Sequence, residues 1–169
     1  MKKVFILLIV IQLNISGAVE PDIGYEGINL NASIKNIKKL FLSKGITLKK
    51  EISIGNTINI EAELKDKIYF NLSFVRTSEF KCFLIYVHFL SPLPDVGDTN
   101  YFIETKKKFY ARFGRPLHEL TTESLYCFII WRPVIKSVHY EVIFVQHGTV
   151  KNLYDFEFVN FDLLAKAVY

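Results

Sequence analysis

The sequence has little of what marks the common chemistries. Among its four histidines and two cysteines there is no HExxH, CxxC or HxH spacing, so no compact zinc motif is written in it. There is no GxSxG elbow to present a nucleophilic serine. No glycine-rich phosphate loop occurs either; the glycines past residue 18 are scattered and suit turns. Charge of one sign is also scarce: 21 basic residues stand against 17 acidic ones. That balance does not demand nucleic acid as a partner. After the first residues, no apolar run is long enough to cross a membrane, which needs about 20 residues.

What is present begins with a leader. Lys2 and Lys3 precede an apolar run from Val4 to Leu13, and Ser16-Gly17-Ala18 offers small residues for cleavage. This is the three-part pattern of a secretory signal peptide over residues 1–18, with residues 19–169 as one exported domain, periplasmic or secreted. No cysteine sits at the cleavage region, so no lipid anchor is expected. Removal of the leader takes two lysines and no acid, leaving a net charge of about +2.

Half of the residues are hydrophobic and 15% are aromatic, which excludes a disordered chain. The abundance of Phe, Tyr, Ile and Thr favours strands. Ile34, Ile37, Leu40 and Phe41 recur at helical spacing, predicting a helix over Ala32–Lys44 ended by Gly45. Four strands are expected next, over Ile46–Ile54, Thr57–Leu64, Lys67–Val75 and Phe80–Phe89. A second helix over Asn100–Phe113 is closed by Gly114 and Pro116. Strands over Ser124–Arg132, Val138–Gln146 and Leu153–Phe158 follow, and 162–169 reads as a short helix or a strand extension. Short turns argue for antiparallel pairing. The expected class is α+β: two helices packed on one face of an antiparallel sheet of about seven strands. The ends of the two helices echo each other, which suggests half-repeats over 27–90 and 98–160.

This layout, with Gly27-Ile28-Asn29-Leu30-Asn31-Ala32-Ser33 opening the first helix and Phe109-Tyr110-Ala111-Arg112-Phe113-Gly114-Arg115-Pro116 ending the second, resembles small exported bacterial proteins of unassigned role. It is similar to the β-lactamase-inhibitor-protein-like fold. The resemblance implies a binder or an envelope accessory protein.

Several residue groups are candidates for that role. Tyr86, Tyr126, Trp131 and Tyr140 lie on strands, the first three in runs that are apolar on both faces, and would form a binding face if they point away from the helices. Such a face would take a protein or an apolar ligand. Lys35, Lys38, Lys39, Lys107, Lys108 and Arg112 would make a basic face if the two helices lie side by side. Cys82 and Cys127 sit in apolar strand-like runs, as a disulfide of an oxidising compartment or as two buried small hydrophobes. His139 and His147 would share one strand face, about eight rises apart and too distant for one metal. No cofactor, metal or catalytic residue is expected from these spacings. The competing reading is a small exported hydrolase-like enzyme without a recognisable motif.

Overall fold

The computed structural model describes residues 23–65, 67–89, 100–122, 127–147 and 153–168. The expected leader over residues 1–18 lies outside them, as does Tyr126. Two short strands, β1 (Gly24–Tyr25) and β2 (Ile28–Asn29), pair as a small hairpin and lead into the first helix, α1 (Ile34–Lys44). Ser33 caps α1: its backbone is extended and its hydroxyl accepts from the Asn36 N–H at 3.3 Å. Gly45 ends it at φ 69°, where a side chain would be strained, and donates back to the Leu42 carbonyl. Ile37 and Phe41, one turn apart, are the residues α1 buries.

Four strands then run as a meander: β3 (Thr47–Ile54), β4 (Thr57–Leu64), β5 (Ile68–Arg76) and β6 (Phe80–Phe89). The second helix, α2 (Asn100–Phe113), is followed by β7 (His118–Thr121), β8 (Cys127–Trp131), the short β9 (Val134–Ile135), β10 (Val138–Gln146) and β11 (Tyr154–Asn160). Strand order in the main sheet is β3-β4-β5-β6-β11-β10-β8-β7, with β9 paired to β10 and every pairing antiparallel. The topology is therefore a helix and a four-strand meander, twice, with the last strand of each half paired at the centre through β6 and β11.

Strand alternation sorts the core. Ile60, Phe70, Leu72, Phe74, Ile85, Val87, Phe144, Phe156 and Phe158 all point to the face that carries α1 and α2, and all are buried. Phe109 of α2 docks among them, with ring centroids 5.5 Å from Trp131, 6.0 Å from Phe156 and 6.2 Å from Phe158. The edge strand β7 is tied to α2 through Glu119. Its carboxylate takes the Lys106 ammonium at 2.5 Å and the Tyr110 hydroxyl. Those two donors hold the Glu119 carboxyl below its usual pKa, Lys106 first. A depressed carboxyl contributes stability above its unfolded pKa and loses it as the pH falls through the folded value. The group is well exposed, so the effect is small. Glu119→Gln should lower Tm by about 1–3 °C at pH 7 and by nothing measurable at pH 3, read by thermal melts across that range.

Two expectations need correction. Among the described residues the sheet has nine strands and a second, two-stranded sheet precedes it, in place of about seven strands. A third helix, α3 (Phe161–Val168), joins the two expected ones. It crosses the ends of β5, β6, β10 and β11. There Val75 and Val159, which alternation points away from α1 and α2, are still only 0% and 4% exposed. The second face of the sheet is thus covered at one end. The α+β class and the antiparallel sheet remain.

The disulfide is the second correction. Cys82 and Cys127 are buried free thiols. β11 and β10 lie between their strands, which sets them at least about 14 Å apart at roughly 4.8 Å per strand. They are also offset along the strands: Cys127 pairs with Gln146, whose neighbour Tyr154 lies at the end of β11 that meets His88, whereas Cys82 is at the other end of β6. A disulfide tolerates about 7 Å between Cα atoms. Burial alone pushes the Cys82 thiol pKa up, away from reactive thiolate.

Candidate functional site

The uncovered part of the second sheet face can be read as rows of directly paired residues. One row runs Glu61, Asn71, Tyr86, Glu157, Ile143 and Ile130. The next runs Glu63, Tyr69, His88, Asp155, Val145 and Phe128. On this face polar side chains crowd the centre of the sheet, where both neighbours of every strand are hydrogen-bonded and the positions are fixed by backbone ladders.

Two features stand out. The first is an open hollow of about 390 Å³ lined by Asn59, Asn71, Ser73, Leu84, Tyr86 and Glu157. Burial pushes the Tyr86 phenol up to about 12, reinforced by Asp155, whose carboxylate accepts its hydroxyl. Burial also raises the Glu157 carboxyl, with Glu141 adding to it. Both residues are therefore hydrogen-bonding groups in a half-dry setting.

The second feature adjoins the hollow. Asp155 on β11 faces His88 on β6 as its direct cross-strand partner. His88 presents Nδ1 to Asp155 Oδ1, and His147, just past β10, presents Nε2 to Asp155 Oδ2 at 2.7 Å. The His147 backbone is held by its N–H donating to the Leu153 carbonyl at 3.0 Å. The His88 and His147 rings stand 6.4 Å apart and nearly perpendicular, and the Tyr86 ring lies parallel to that of His88 at 6.4 Å. All three side chains are partly exposed. Ser73 in the hollow is not a partner for His88. It lies four residues along β5 from Tyr69, which pairs with His88, so about 13 Å separates them.

The expected aromatic face is mostly elsewhere. Tyr86 does lie on the open face. Trp131 and Tyr140 instead point into the core: Trp131 packs against α2, and the Tyr140 hydroxyl accepts from Asn31 Nδ2 at 3.1 Å. The helix lysines sit on two helices that pack over different strands of the same sheet face. α1 packs toward β3 and β6, whereas Phe109 of α2 sits over β8, β10 and β11. Lys38 is moreover paired with Glu51 at 2.6 Å. Lys35, Lys39, Lys107, Lys108 and Arg112 are exposed on these separate helices. His139 pairs with Asp162 of α3, far from the group that His147 joins.

The histidine and aspartate group escaped sequence reasoning because its members lie 67 and 8 positions apart. One signal was available. On β11 Asp155 shares parity with Glu157 and alternates with Tyr154, Phe156 and Phe158, which places it on the solvent-facing side. No family model, curated protein or solved structure matches the chain.

Proposed function

We propose that the protein acts by binding a protein partner through the open part of its second sheet face, after export to the periplasm or beyond. The observation that carries this reading is the hollow of Asn59, Asn71, Ser73, Leu84, Tyr86 and Glu157 at the centre of the sheet. Its lining favours a polar partner surface over an apolar ligand. Two side-chain amides and a hydroxyl offer donors and acceptors, while Leu84 and the Tyr86 ring offer contact area. A rigid ladder beneath holds these groups in place, so little ordering is required on contact. The resemblance to inhibitor-like exported binders points the same way. A serine hydrolase would need its nucleophile within reach of His88, and Ser73 is about 13 Å away.

The test is site-specific photo-crosslinking in the native host. A crosslinking residue at Asn71 should yield one adduct of defined mass, competed away by excess unlabelled protein. The same residue at Lys39, exposed on α1, should not yield it. Equal adducts at both positions, or none at Asn71, would refute the reading.

A further inference from the structure

We infer that His88, His147 and Asp155 form a binding site for one divalent transition-metal ion, open on its solvent side. The donor atoms, one ring nitrogen of each histidine and a carboxylate oxygen, all lie within 4.8 Å of one another. An ion about 2.0–2.2 Å from each of three donors in a tetrahedral array needs them about 3.4 Å apart. Small side-chain rotations reach that, with no change in the backbone.

The geometry of the fold supports the site. His88 and Asp155 are directly paired on β6 and β11, the two central strands where the halves of the sheet meet. Their separation is thus fixed by the ladder rather than by a loop. His147 comes from the end of β10, the other neighbour of β11, and the Leu153 carbonyl holds its backbone. The Tyr86 hydroxyl hydrogen-bonds the Asp155 carboxylate. This is the kind of outer contact that orients a ligating carboxylate.

The donor set selects the ion. Two imidazoles and one carboxylate suit zinc, copper, nickel, cobalt or ferrous iron; calcium and magnesium prefer all-oxygen sets. The buried thiols of Cys82 and Cys127 belong to the helix-bearing face and are not ligands. Three protein donors leave at least one coordination position for water or a ligand, as in zinc sites that bind or activate small molecules. The histidine side chains are 30% and 37% exposed, so the open position is reached from solvent next to the Tyr86 hollow.

The site is independent of the partner reading above, and the experiment separates the two. Purified protein freed of any affinity tag is titrated with zinc by calorimetry, and with cobalt followed by its visible absorption. One equivalent should bind at micromolar or lower Kd, and the cobalt bands should report nitrogen and oxygen ligation. His147→Ala, just beyond a strand end, should weaken zinc at least about 30-fold while keeping the parent's circular dichroism. His88→Asn should do the same, and His139→Ala should change nothing. Zinc should raise Tm in the parent and not in His147→Ala. Absence of saturable binding by the parent overturns the site. So does parent-like affinity in a folded His88→Asn/His147→Ala double variant, because the carboxylate and two imidazoles would then merely satisfy one another. Crosslinking from Asn71 that survives a chelator would show that the partner face stands without the metal.

Discussion

Trp131→Ala is expected to cost about 3–5 kcal/mol of folding stability, the range for removing a large buried aromatic. Trp131 is 1% exposed. Its ring meets Phe109 edge-on at 5.5 Å and Tyr110 at 5.8 Å, and its Nε1 donates to the Gly114 carbonyl at 3.1 Å. That carbonyl stands where α2 ends, so one residue both fills the space beneath the helix and pins its last turn to β8. Alanine removes both and leaves a cavity under Phe109. Trp131→Phe keeps much of the packing but orphans the Gly114 carbonyl, and should cost about 1–2 kcal/mol. Urea unfolding followed by circular dichroism is the suitable measurement, because this is the only tryptophan and its fluorescence goes with it. A loss below about 1 kcal/mol for the alanine variant would mean that α2 is not docked on β8 through this residue. The same variants discriminate core from surface. An aromatic on an exposed binding face would lose partner binding at nearly unchanged stability.

The difference between Trp131 and Tyr86 shows what the sequence can and cannot carry. Regular periodicity with a recognisable stop was readable: α1, β4, β6, α2 and β10 fall on or within two residues of the bounds set by spacing, caps and turns. The face of a strand was readable only where the two faces differ in polarity. In Cys127–Trp131 the residues of both parities are apolar, so alternation cannot say that Trp131 shares the core with Ile129. For Tyr140 a signal existed, since His139 and Glu141 mark the polar side of β10 and leave Tyr140 with Val142 and Phe144. β7 and β9 are four and two residues long, too short for any period to register. The metal group depends on β6 pairing with β11, a contact between halves of the chain that no local pattern encodes. The tail that forms the third helix, eight residues long, is too short for its period to decide between helix and strand. Asn160, which starts it, joins the helix to the core.

Asn160→Ala is the second large loss expected, about 2–4 kcal/mol from two separable effects. Asn160 ends β11 on its buried face, 2% exposed. Its Oδ1 accepts the Leu163 N–H at 3.0 Å and so caps α3. Its Nδ2 donates to Asn31 Oδ1 at 2.6 Å, and Asn31 in turn donates to the Tyr140 hydroxyl at 3.1 Å. This chain links the entry to α1, β10, β11 and α3 through a buried polar network. Losing the cap costs about 1 kcal/mol. Orphaning the half-buried Asn31 oxygen costs about 1–3 kcal/mol more, because an acceptor that water reaches only in part keeps much of its desolvation penalty. Asn160→Ser separates the two: serine still caps a helix but is too short to reach Asn31, so it should recover only the cap's share. Urea unfolding gives the totals, and hydrogen exchange of the amides over 163–168 gives the local effect. In Asn160→Ala those amides should lose protection before the rest of the sheet, since none of α3's own residues is buried. Its loosening would uncover Val75 and Val159 and widen the open part of the second face toward the hollow beside Tyr86. If α3 stays protected and stability falls by less than about 1 kcal/mol, the helix is held by packing on β5 and β6 instead, and the network is not its anchor.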